Sequence, residues 1–210
     1  MKRLFVAIKL EADKNFLATH DYIMSNLKHE SIKWVDTDKL HLTLKFLGET
    51  PEDKIPIIDN LLKTFVQDKE TINISFDKTG IFGSSYLPKV IWFGIKDDQK
   101  IKDLGGGLLE YFHKNGFPQD RQNFVPHLTI GRIRKLDDKK HFQLVIDKVK
   151  DNFLQEFKVD EIVLYQSILK ASGPTYIELG KYGLRDQKFK GSKDQKLSRS
   201  EIKPLLLRGD

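Results

Sequence analysis

His41-Leu42-Thr43-Leu44-Lys45-Phe46-Leu47-Gly48-Glu49 and Pro126-His127-Leu128-Thr129-Ile130-Gly131-Arg132 carry one pattern twice, a His-x-Thr step set in an apolar run. Each run reads as a β-strand. Alternation along a strand places His41 with Thr43 on one face and His127 with Thr129 on one face, with Leu40, Leu42, Leu44 and Phe46 pointing the other way. Each strand thus offers an imidazole and a hydroxyl side by side. Imidazole exchanges protons near neutral pH, and two of them can serve one reacting group as general base and general acid.

Around these strands the chain alternates strands and helices. A strand is expected at 2–10 and a helix over about 12–29, with Phe16, Ile23, Met24 and Leu27 along one face. A second helix starts near Thr50-Pro51-Glu52-Asp53, where Pro56 comes early enough to be tolerated. Strands follow at about 72–78 and 89–96, with Gly83-Ser84-Ser85 between them, then helices near 97–115 and 138–150. Two long strands, about 157–169 and 174–181, form a hairpin around Ser172-Gly173-Pro174. Gly105-Gly106-Gly107 lacks the Lys-Ser/Thr that would make it a phosphate-cradling loop, and predicts a helix break or a close approach.

Composition narrows the classes. The 210 residues can bury a substantial core, and no apolar run nears the roughly 20 residues of a membrane span. The first ten residues are interrupted by charge too soon for a secretory signal. Without cysteine there is no disulfide, thiolate metal site or cysteine nucleophile, which fits a cytoplasmic location. Of the net charge of +6, half lies in residues 186–210, where seven Lys or Arg face four Asp or Glu. The remaining body suits one phosphate or a few nucleotides better than a long nucleic-acid track. Residues 1–185 are expected to form one bilobal domain, and 186–210 a basic, flexible tail.

Together with Arg3-Leu4-Phe5-Val6-Ala7-Ile8, Val90-Ile91-Trp92-Phe93-Gly94 and Leu164-Tyr165-Gln166-Ser167, the two motifs resemble those of the two-histidine phosphoesterases, and within them the RNA 2′,3′-cyclic phosphodiesterases, also called 2′-5′ RNA ligases. The resemblance covers about residues 2–183. It implies an α+β fold of two pseudo-symmetric lobes whose antiparallel sheets line a central cleft, with helices outside. It implies catalytic His41 and His127, substrate binding by Thr43, Thr129 and Arg132, and RNA ends, short oligonucleotides or nucleotides as partners. The expected reaction opens a 2′,3′-cyclic phosphate to a 2′-phosphate, with His127 as base and His41 as acid. No cofactor, metal, membrane or obligatory protein partner is expected. A nucleotide-binding module with little turnover, a basic RNA-binding protein and an enzyme for another cyclic nucleotide are the competing readings.

Several residues stay open at the level of sequence. Strict alternation puts Arg132 on the face opposite His127 unless a bulge at Gly131 turns it back. Lys45 has the parity to join His41 and Thr43. Phe46, Tyr86, Phe117 and Phe124 are candidates for stacking a base. His20, His29, His113 and His141 fall among charged residues and are expected at the surface.

Overall fold

The computed structural model describes residues 1–120, 124–171 and 173–186. Nine strands form a single sheet, and all their pairings are antiparallel: β1 (Lys2–Lys9), β2 (Ser31–Trp34), β3 (His41–Thr50), β4 (Ile72–Gly83), β5 (Pro88–Ile95), β6 (His127–Lys135), β7 (Gln155–Val159), β8 (Glu161–Lys170) and β9 (Gly173–Gly183). The order is β7-β4-β5-β6-β3-β1-β8-β9, and β2 pairs with β6 off this path. The helices are α1 (Lys14–Asn26), α2 (Ile55–Phe65), α3 (Gln99–Lys114) and α4 (Lys139–Val149).

The sheet divides at its middle. β3 and β6 are joined by one residue pair, Leu42 with Leu128, whereas β1 pairs with β3 along its whole length. Each half has its His-x-Thr strand innermost: β3 flanked by β1, β8 and β9, and β6 flanked by β5, β4 and β7. The fold is the expected α+β one, and its two lobes are halves of a continuous curled sheet. Leu42, Leu44, Leu128 and Ile130 turn toward the helices, where Phe16, Ile58, Leu62, Leu108, Phe112 and Phe142 complete the main core. A smaller cluster of Phe5, Ala7, Val163 and Tyr165, with Tyr176 against it, is separate from that core.

Two expectations need correction, and a third is narrowed to one of its alternatives. The strand expected over 157–169 is two strands, because the chain crosses between lobes at Asp160: β7 pairs with β4, and β8 with β1. Asp160-Glu161 interrupts the apolar alternation at the crossing, with Val159 and Ile162 buried on either side of it. His20 is buried rather than at the surface, on the α1 face that carries Phe16, Ile23 and Leu27. Its ring meets Trp34 edge-on at 6.0 Å, and burial lowers its pKa, with Asp21 opposing. The Gly105–Gly107 run does not break α3; a Cβ on Gly105 would overlap the Phe124 ring, so the close-approach reading holds. His29, His113 and His141 are exposed.

The chain remains tied to the sheet through Arg185. Its backbone exchanges hydrogen bonds with Lys69 and Thr71, each of 2.9 Å, and Leu184 is buried. Residues 187–210, on which most of the expected tail falls, lie outside the described residues, as does Ser172. Among the described residues no helix is long and apolar enough to cross a membrane.

Candidate active site

The Leu42–Leu128 pair sets the geometry of the cleft. Extending that antiparallel register by one position in each direction brings His41 opposite Thr129 and Thr43 opposite His127. A local twofold through this pair therefore gathers both imidazoles and both hydroxyls on one face.

The two strands also share a bulge. Ala7 faces Thr43 but Val6 faces Lys45, leaving Leu44 as the extra residue; Trp92 faces Thr129 but Ile91 faces Gly131, leaving Ile130 extra. An extra residue inverts side-chain parity beyond it. Leu44 and Lys45 are consequently both buried and Phe46 exposed, as Ile130 and Gly131 are buried and Arg132 exposed. The bulge turns Arg132 back to the histidine face, where its charge acts on His41, His127 and Tyr176. Gly131 suits the buried position, since a Cβ there would stand 3.0 Å from the Ile32 and Trp34 side chains and press on them.

The same inversion removes Lys45 from the cleft. Its ammonium is buried on the helix side, where it pairs with Asp120 and lies 5.9 Å above the Phe112 ring. It holds the segment after α3 against β3. Of the aromatic candidates, Phe46 is in the cleft, 64% exposed and 6.1 Å from Phe5. Tyr86 lies under Lys139 instead, and Phe117 and Phe124 pack against the main core.

Both imidazoles are oriented in the same way. His41 Nδ1 lies 2.8 Å from the Lys39 carbonyl oxygen, and His127 Nδ1 lies 2.7 Å from that of Val125. A carbonyl only accepts, so Nδ1 carries the proton in both and Nε2 is left to exchange one. An aromatic edge fixes each ring further, Tyr176 at 5.1 Å from His41 and Phe82 at 4.7 Å from His127, and a tilted Phe5 lies 5.0 Å from His41. Burial lowers the pKa of His41 against the opposing Lys39 carbonyl, and Arg132 and His127 lower it further. His127 is lowered by burial and by Arg132, against the Val125 carbonyl. Both imidazoles therefore lose their protons below the usual 6.5 in the free protein.

Phe5, Tyr165, Tyr176, Phe82 and Trp92 were not singled out from the sequence. Phe5 shares strand parity with Arg3 and Ala7, a faint signal; the others reach the cleft only through tertiary pairing. Phe5 and Tyr165 stack at 5.2 Å, and Trp92 meets Phe82 at 5.3 Å, so an aromatic floor underlies each histidine. A cavity of about 420 Å³ between α2 and α3, lined by Phe65, Lys69, Gly107 and Tyr111 among others, includes none of these groups. Among the described residues no group of three or more His, Cys, Asp or Glu side chains is gathered to hold a metal ion.

Known proteins resemble this chain in sequence and in fold. Residues 16–170 match the model of the 2′-5′ RNA ligase superfamily. The chain is 35% identical over 174 residues to the RNA 2′,3′-cyclic phosphodiesterase of Methanocaldococcus jannaschii, covering 83% of this chain and 96% of that one. It is 33% identical over 180 residues to the protein of that name from Archaeoglobus fulgidus, covering 84% and 97%. A crystal structure from Thermus thermophilus superposes with a TM-score of 0.74 at 25% identity, over 89% of this chain and all of that one. Escherichia coli LigT complexed with 3′-AMP superposes at 0.68 and 24% identity, over 87% and 98%.

Proposed function

This chain belongs to the 2′-5′ RNA ligase superfamily, and we propose that it hydrolyses RNA 2′,3′-cyclic phosphate ends to 2′-phosphate ends with His41 and His127. One observation carries the reading: two imidazoles related by a local twofold, each with Nδ1 committed to a carbonyl and Nε2 left to act on a group between them. The names of the relatives support the substrate, and the complex of LigT with 3′-AMP supports a nucleotide ligand.

His127 takes a proton from water as the water oxygen attacks phosphorus. The bond from phosphorus to the 3′ oxygen breaks, and His41 gives its Nε2 proton to that oxygen. The aromatic surface of Phe5, Phe46 and Tyr176 beside His41 favours the nucleoside on that side, with the departing ribose oxygen next to His41. Thr43, Thr129 and Arg132 hold the non-bridging oxygens and stabilise the charge that grows on them. An RNA 5′-hydroxyl in place of water gives a 2′-5′ linkage by the same proton transfers. Each step is assigned to side chains alone.

The test is incubation of a short RNA ending in a 2′,3′-cyclic phosphate with the protein in excess EDTA, followed by mapping of the product. Conversion to a 2′-phosphate end is expected. Exclusive 3′-phosphate would overturn the choice of leaving oxygen, and activity abolished by chelation and restored by a divalent ion would overturn the proton-transfer assignment. Binding without turnover would leave a nucleotide-binding module.

A further inference from the structure

The basic face of β6 continues past the reacting centre. Arg134 follows Arg132 at the next position of the same parity, about 6.6 Å along the strand, and Lys33 of β2 stands directly across from Arg132. All three are exposed, and among the described residues none forms an ion pair. Neighbouring cations differ: Lys135 pairs with Asp137 at 2.6 Å, Lys39 with Asp36 at 2.5 Å and Lys9 with Glu178 at 3.6 Å.

Lys33 and Arg134 share a groove of about 350 Å³ with Glu30, Ser31, Ile32 and Ala171. Ala171 belongs to the turn between β8 and β9, so a hairpin of one lobe arches over a strand of the other. At the same turn, Gly173 has φ 131° and lies so close to Lys33 that a Cβ on it would be 3.6 Å from the ammonium. Glu30 is the one acid lining the groove, and its carboxylate accepts the backbone N–H groups of Asp137 and Asp138 at 2.6 and 2.9 Å. That leaves the groove with two unpaired cations at the end of the cleft.

We infer that this groove binds the phosphodiester immediately 5′ to the cyclic end, so that Lys33 and Arg134 are the residues through which the enzyme favours a longer RNA over a free cyclic nucleotide. A 2′,3′-cyclic phosphate consumes both terminal hydroxyls, and the RNA continues only in the 5′ direction. With the reacting phosphate held by the histidines and Arg132, the next anion meets Lys33 and Arg134 at a spacing comparable to that of successive phosphates in an extended strand. Contacts to the backbone alone carry no base preference, so selection is for length and not for sequence. The inference rests on the proposed assignment of His41, His127 and Arg132 to the cyclic phosphate.

Lys33→Ala, Arg134→Ala and the double variant are to be compared on a 2′,3′-cyclic mononucleotide and on a short single-stranded RNA with the same cyclic end, at low and moderate salt. Arg3→Ala, which removes another exposed cation that acts on Tyr176, serves as control. The double variant is expected to lose roughly tenfold in kcat/KM for the RNA, mainly through KM, with a shallower salt dependence, and to leave the mononucleotide unchanged. Equal loss on both substrates, no loss on either, or selective loss in Arg3→Ala alone would overturn the groove assignment. A wild-type protein that opens neither substrate would overturn the hydrolase reading itself, a failure visible before any variant is made. Circular dichroism of these surface variants should match the wild type.

Discussion

The two lobes are nearly the same device up to the bulge and different devices after it. Counting from each histidine, burial runs alike through seven residues of β3 and β6, the extra residue falls at the same step, and both Nδ1 atoms meet a carbonyl two residues back. The fourth and fifth positions beyond the histidine then diverge. In β3 they are Lys45, which pairs with Asp120 beneath the sheet, and Phe46, which presents a ring to the cleft. In β6 they are Gly131, which lets β2 approach, and Arg132, which presents a guanidinium. Under the proposed function the repeat supplies two proton-transfer groups, and the divergence gives one lobe an apolar surface for a nucleoside and the other a cation for phosphate.

If the histidines are equal halves of one device, His41→Ala and His127→Ala should each lower turnover by about 10²-fold or more, and the double variant should lose far less than the product of the two. Near-normal turnover in either folded variant would break the equivalence. Arg132→Gln should cost roughly 10²-fold through lost charge stabilisation, while the residue at the matching position, Phe46→Ala, should raise KM about tenfold with little change in kcat. Similar kinetic signatures for the two would mean that the lobes are not divided as described.

The pH dependence sharpens the same comparison. Both imidazoles have pKa values lowered from 6.5, so the bell-shaped kcat/KM profile should be centred on the acid side of that value and report the coupled pair. Removing the Arg132 charge takes away a cation that disfavours protonation of both rings. The profile of Arg132→Gln should therefore move toward higher pH, and an unmoved profile would separate Arg132 from the histidines. The smallest effect is expected at the end of the chain: a protein ending after Arg185 should fold and open a cyclic mononucleotide at the wild-type rate. Loss of folding, read by circular dichroism, would place the following residues within the structure.

Much of the site was legible because strands have a period of two and the His-x-Thr step occurs twice. His41, Thr43, His127 and Thr129 were picked out by that repeat, and the α+β class followed from the family resemblance that the motifs and their flanks carry. His20 was legible in principle: positions 16, 20, 23 and 27 make one helical stripe, and the charged neighbours distracted from the spacing. The split of 157–169 carried a short signal, the adjacent acids Asp160 and Glu161 between buried Val159 and Ile162, but that β7 pairs with β4 and β8 with β1 is decided only by partners far away in the chain.

By itself the sequence determined which residue types recur, on which strands and with which local parity. Only the tertiary structure decided how those strands meet. The register at Leu42–Leu128 turns two distant motifs into one site, and a paired bulge reverses parity so that Arg132 and Phe46 enter the cleft while Lys45 leaves it. Register and bulge belong to hydrogen bonds between strands far apart in the chain, and no residue records its cross-strand partner in its own neighbourhood.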